Sequence, residues 1–132
     1  MIFIGYQKSI ISFVETHSLP KSHRLHKAEE FTAVMRFKCQ ASSDLIQMYV
    51  KPNNLAYPRL GLIVAKKVER RAVKRNRAKR IFRETFRMHQ RDEKTITLDW
   101  IIRLRRPITK TNTLQLTTEA KLLMLQLQQC HG

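Results

Sequence analysis

Residues 59–87 read RLGLIVAKKVERRAVKRNRAKRIFRETFR. The opening part, Leu60 to Ala65, is short and continuously apolar, the pattern of a central strand. Gly61 within it marks a bulge or a close approach of another segment. From Lys66 to Arg87 the chain carries eleven Lys or Arg and only two acids, Glu69 and Glu84. At about 100° per residue, Ala72 to His89 forms an amphipathic helix. Ala78, Ile81, Phe82, Thr85 and Met88 share its apolar face, and Asn76, Lys79, Arg80, Arg83 and Arg87 lie opposite. Arg75 and Arg77 flank the two. Lys79, Arg83 and Arg87 repel one another at i,i+4 spacing, and only a polyanionic partner makes that arrangement favourable. A plain solvated face would mix acids with bases. A membrane-surface helix would share this amphipathic pattern, but the strand directly before it assigns the apolar face to a sheet.

The rest of the composition agrees. The 132 residues hold 26 Lys plus Arg against 10 Asp plus Glu, a formal charge of +16. That balance selects nucleic acid or an anionic surface as partner. A hydrophobic content of 42% excludes a disordered basic tail. The length fits one domain. No run approaches the roughly 18 apolar residues of a membrane span. The N-terminal MIFIGYQKSIISF faintly resembles a signal peptide, but Lys8 interrupts it and no small-x-small site follows, so export is not expected. Cys39 and Cys130 form no metal spacing and are expected as two reduced thiols.

Residues 1–22 read as an N-terminal extension, either a flexible, disordered tail or a translated upstream region, followed by one domain over 23–130. Phe31, Val34 and Met35 at i, i+3, i+4 predict a short helix at about 27–37, with Glu29 and Glu30 in its first turn. Cys39 to Asp44 reads as a polar connection. Leu45 to Val50 alternates, with Ile46, Met48 and Val50 on one face and Gln47 and Tyr49 on the other, a half-buried strand. Lys51 to Pro58, with two prolines and Asn53-Asn54, reads as a turn or hairpin loop. Leu98 to Leu104 is a further strand and Asp99 caps or bridges at its start. Asn112 is a candidate N-cap for a last helix at about 113–129, with Leu116, Ala120, Leu123, Met124 and Leu127 on one face. The fold class is α+β, a small sheet with helices packed on it.

Within 59–87, the pair Lys66-Lys67, then Arg75-Asn76-Arg77, Lys79-Arg80 and Arg83-Glu84 closely resembles the bacterial ribonuclease P protein component family. The resemblance extends over roughly 23–130, from Arg24-Leu25 and Phe31 to Asp99 and the last helix. It implies an α-β-β-β-α-β-α sandwich with a left-handed crossover around the basic helix, against the right-handed base rate. It implies a protein subunit of an endoribonuclease that binds a catalytic RNA and promotes removal of the 5′ leader from precursor tRNA, with the chemistry in the RNA. It further implies cytoplasmic localisation and no obligate protein partner. Candidate RNA-contacting residues are Lys66, Lys67, Arg70, Arg71, Arg75, Asn76, Arg77, Lys79, Arg80, Arg83 and Arg87. Arg suits closely spaced phosphates through bidentate contacts. Phe31, Met35 and Tyr49 are the candidates for a cleft that takes the single-stranded leader, since stacking beside positive charge is what single strands require. Met35 stands where relatives carry an aromatic ring and cannot stack in the same way. Many relatives have Gly after the Lys-Lys pair; here Val68-Glu69-Arg70-Arg71 must build that turn without it.

The remaining candidates read as structural. Phe31 fits a core as well as a site, and Trp100 reads as core. His23, His26 and His89 make no metal spacing and read as surface residues. No nucleophile set and no paired carboxylates are visible. The protein therefore has no catalytic apparatus of its own in view, in keeping with Mg²⁺ held mainly by RNA. The alternative reading is a general RNA-binding or ribosome-associated protein without a processing role. A DNA-binding reading fails because the sequence shows no recognition helix and no dimer seam.

Overall fold

The computed structural model describes residues 19–92 and 97–129. The elements run α1 (Ala28–Arg36), β1 (Cys39–Ser42), β2 (Ile46–Pro52), β3 (Arg59–Ile63), α2 (Ala72–Asp92), β4 (Leu98–Leu104) and α3 (Thr113–Leu127). A single 3-10 turn, Lys21–His23, precedes them. The expected extension lies outside the described residues up to position 18. Leu19, just after it, is buried against the main core.

The four strands form one mixed sheet in the order β1-β2-β4-β3. β1 and β2 are antiparallel, as are β2 and β4, whereas β3 and β4 are parallel. The parallel pair is joined through α2, as a strand-helix-strand succession requires. The hairpin reading of Lys51 to Pro58 is corrected: β4 lies between β2 and β3, so that segment connects strands that do not pair. Asn54 adopts φ 56° there, a left-handed conformation that Asn tolerates. Cys39 to Ser42 is also corrected, from a polar connection to a strand. Its own residues favour no strand; pairing with β2 holds it at the sheet edge.

The alternation of β2 divides the core. Ile46, Met48 and Val50 join Trp100, Ile102, Phe82 and Phe86 beneath α2 and α3. Tyr49 joins Ile101, Val34 and Leu25 on the other face, beneath α1. Leu116, Ala120, Leu123, Met124 and Leu127 of α3 are all buried, as their spacing predicts. Asn112 occupies the N-cap position, where its carbonyl accepts from the Leu116 N–H at 2.9 Å but its side chain makes no bond into the helix. Its Oδ1 accepts from the Thr109 N–H at 2.9 Å and its Nδ2 donates to the Pro107 carbonyl at 3.2 Å.

The apolar face of α2 is rotated from the expected one. Phe86 and His89 are buried and Met88 is exposed. His89 is therefore no surface histidine. It is paired with Gln128 through Nε2 at 2.9 Å and lies edge-on to Trp100 at 5.5 Å. The helix turns this way because the Phe86 ring contributes more apolar area than Met88 and also meets Trp100 edge-on. Cys39 is disulfide-bonded, which overturns the expectation of two reduced thiols. Cys130 lies outside the described residues.

Three carboxylates stitch loops to helices. Glu30 accepts from the backbone N–H of His26 at 2.8 Å and of Lys27 at 3.0 Å, closing the start of α1. Those two bonds, helped by the charge of Arg59, hold its carboxyl below the ordinary value against the opposing effect of burial. Burial would raise Glu69 and Glu119. Backbone N–H donors from Ile108 and Arg71 outweigh it at Glu69, and the Ser43 hydroxyl, the Leu45 N–H and the Gln115 amide outweigh it at Glu119. Lowered carboxylates contribute stability that is fully present above their unfolded-state pKa and lost as pH falls through the folded one. We therefore expect unfolding free energy to fall as pH drops below about 4. Urea titrations at pH 7 and pH 3 check this, and Glu69→Gln should flatten part of the difference. An identical slope in that variant would contradict the assignment.

Candidate RNA interface

The turn into α2 is built by an acid in place of a glycine. The backbone closes with Val68 N–H and Glu69 N–H donating to the Ala65 carbonyl at 3.1 and 3.0 Å. Glu69, 5% exposed, then accepts from Ile108 N–H at 2.9 Å and Arg71 N–H at 3.1 Å. One buried carboxylate thus ties this turn to the segment that leads into α3. Lys66, Lys67, Arg70 and Arg71 are left on the turn, all four exposed.

The Arg-Asn-Arg set does not act as one unit. Arg75 Nη1 donates back to the carbonyls of Glu69 at 3.1 Å and Arg70 at 2.8 Å. It fastens the turn onto the first turn of α2. Asn76, Arg77 and Arg80 are exposed and, with Val73, line a shallow cavity of about 260 Å³. Among the described residues neither Arg77 nor Arg80 has an ion-pair partner. Two unpaired guanidinium groups beside an amide form a surface with donors and no competing acid, suited to phosphate.

Lys79 and Arg83 diverge from that surface. They are half-buried and line a second cavity of about 190 Å³ with Arg24, Leu25, Phe31, Leu60 and Gly61 among others. Phe31 lies directly over the strand: a Cβ at Gly61 would meet its ring carbons at 2.7 Å. Gly61 therefore serves close approach, and the unbroken register across it excludes a bulge. Burial, with the charge of Arg24 nearby, lowers the Arg83 pKa from its ordinary value. The opposite charge of an anion in this cavity would offset both effects. Arg24 is an addition to the expected RNA-facing set. Its Nε donates to the Leu19 carbonyl at 2.8 Å, which holds it at the cavity; its only sequence signal is its place beside Leu25.

Of the cleft candidates, only Phe31 lines this cavity. Tyr49 is buried and Met35 half-buried, both in the apolar cluster with Val34 and Ile101 beneath α1. Arg87 is half-buried and lines neither cavity. The position of α1, and so of Phe31, is set from below. Arg59 Nε and Nη2 donate to the two oxygens of Asp99 at 2.8 and 2.7 Å, and its Nη1 donates to Glu30 at 3.0 Å. Asp99 bridges at its strand start, as its place in the sequence predicts.

Comparison with known proteins places these features in a family. The sequence model of the family Ribonuclease P matches residues 19–128. The chain belongs to the ribonuclease P protein family. The ribonuclease P protein component of Nitrosomonas europaea is 43% identical over 106 residues, spanning 80% of this chain and 87% of that one. That of Chromobacterium violaceum is 36% identical over 112 residues, 85% of this chain and 91% of the other. The structure of the Staphylococcus aureus ribonuclease P protein superposes with a TM-score of 0.70 at 26% identity, covering 85% of this chain and all of that chain. That of Thermotoga maritima, at 22% identity, shares the fold with a TM-score of 0.62.

As a ribonuclease P protein, the chain is the protein component of an endoribonuclease that processes the 5′ end of precursor tRNA. The α-β-β-β-α-β-α order and mixed four-stranded sheet are those of the family. Among the described residues no helix is long and apolar enough to cross a membrane.

Proposed function

We propose that α2 and the turn before it bind the ribonuclease P RNA, while the cavity between α1 and β3 receives the 5′ leader of precursor tRNA. The RNA-facing set is Lys66, Lys67, Arg70, Arg71, Asn76, Arg77 and Arg80. The leader set is Phe31 with Lys79 and Arg83, backed by Met35 and Tyr49. Arg75 and Arg87 support the basic face. The observation that carries this reading is the Phe31 ring held over Gly61 with Arg24, Lys79 and Arg83 around the same cavity. An aromatic face for a base beside cations for its phosphates is what a single strand needs. The RNA-binding domain spans 23–130 and residues 1–22 extend it. The protein works in the cytoplasm without an obligate protein partner.

Cleavage chemistry belongs to the RNA, with Mg²⁺ held mainly by its phosphates. Among the described residues no group of three or more His, Cys, Asp or Glu side chains converges to hold a cation. We assign no reaction step to a side chain of this protein. Its role is to bind and position.

The test is reconstitution with a bacterial ribonuclease P RNA and precursor tRNA at low Mg²⁺. A protein that never promotes leader removal would sink the proposal. Phe31→Ala should then weaken precursor tRNA by about 1–3 kcal/mol, the worth of one stacked base, and leave mature tRNA unchanged. Equal weakening of both, with a lower melting temperature, would return Phe31 to the core.

A further inference from the structure

The sheet face beneath α1 is arranged in rows set by the strand register. One row runs Gly61, Ile101, Tyr49, Gln40, and Phe31 lies over its Gly61 end. The next row on the same face runs Ile63, Arg103, Gln47, Ser42. It lies two residues, about 7 Å, further along β4. Ile63 packs half-buried at the margin of the cluster beneath α1, Gln47 is half-buried, and Arg103 and Ser42 are exposed.

β4 is a central strand, buried at every position except Arg103. Charged residues are rare in such strands because both faces are normally packed. Arg103 is exposed and, among the described residues, has no ion-pair partner. Its Nη1 makes one long hydrogen bond, 3.3 Å, to Gln47 Oε1. Gln47 Nε2 in turn donates to Gln40 Oε1 at 2.7 Å. The amide of Gln47 is thereby oriented while Arg103 keeps most of its donors unused. Ile63 beside them is a half-buried apolar surface.

The row is continuous with the cavity described above. β3 is the edge strand, and Phe31, Gly61 and Leu62 border that cavity from this edge. A strand of RNA that passes Arg83 and Phe31 therefore meets Ile63 and Arg103 next. Charge selects the occupant: the row offers a cation, an amide and an apolar platform, and no carboxylate.

We propose that Ile63, Arg103 and Gln47 form a second leader subsite, which takes a nucleotide one step further from the cleavage site than the one at Phe31. Arg103 holds its phosphate, Ile63 supports the base, and the Gln47 amide contacts the base edge. This inference rests on the leader reading of the Phe31 cavity.

The experiment uses the reconstituted holoenzyme and two precursor tRNAs, one with a leader that ends at the Phe31 cavity and one several nucleotides longer. Arg103→Ala should weaken the long-leader substrate roughly fivefold, as loss of a charge-assisted contact does, and leave the short-leader substrate unchanged. The log–log salt slope for the long leader should drop by about 0.7. Gln47→Ala should change the preference among bases at that one leader position without changing the slope. If Arg103→Ala weakens neither substrate, or both equally, while Phe31→Ala still separates precursor from mature tRNA, the second subsite is wrong and the Phe31 cavity stands. If Phe31→Ala also fails to separate them, the leader reading itself falls. Arg103 is exposed, so an unchanged melting temperature in the variant is expected and excludes misfolding as the cause.

Discussion

Replacing Arg77 and Arg80 together by alanine should lower affinity for the ribonuclease P RNA by on the order of 10- to 100-fold, and reduce the log–log salt slope by about 1.4 to 1.8. Both guanidinium groups line the same exposed cavity and have no ion-pair partner among the described residues. Every phosphate left without its arginine keeps its condensed counterion, which is why slope is the sharper readout. Arg75→Ala should behave differently. Its Nη1 is committed to the carbonyls of Glu69 and Arg70, so its removal loosens the turn that carries Lys66 to Arg71. Affinity should fall while the slope changes by less than that of either neighbour. Equal slope losses for Arg75, Arg77 and Arg80 would mean that Arg75 leaves its carbonyls for phosphate when RNA binds. Filter binding across a range of KCl concentrations measures all three.

Asp99→Ala should be the most destabilising single change near the interface, by about 2–4 kcal/mol. Asp99 is 4% exposed, and its carboxylate accepts three bonds, two from Arg59 and one from Asn53 Nδ2 at 2.9 Å. Truncation leaves Arg59 with Glu30 alone. Breaking a fully buried pair costs about 3–5 kcal/mol, and partial exposure of Arg59 reduces that. Against a typical domain stability of about 5–15 kcal/mol the loss is large. It also has a functional reach, because the Arg59–Glu30 contact positions α1 and hence Phe31. Denaturant unfolding measures the first effect. The second appears as weaker discrimination of precursor from mature tRNA even where the variant is fully folded. A loss below about 0.5 kcal/mol would show that the network contributes little beyond a surface pair.

The amino-acid sequence by itself determined where the helices lie, the two faces of β2 and the cationic character of α2. Each is a local property: the buried set of α3 follows a 3.6-residue period and the two faces of β2 a two-residue one, and both survive whatever the chain packs against. The spaced basic motif was equally legible, since charge on one helix face needs no tertiary partner to be seen. Other features were decided only in three dimensions. β4 pairs between β2 and β3, and Cys39 to Ser42 becomes a strand, because pairing depends on residues far away in the chain. His89 is buried and Met88 exposed because Trp100 of another strand meets that side of α2. Within the Arg-Asn-Arg set, spacing treats the two arginines alike. Only the carbonyls of the preceding turn, brought within reach by the buried Glu69 carboxylate, separate the one that holds the fold from the one left open to RNA.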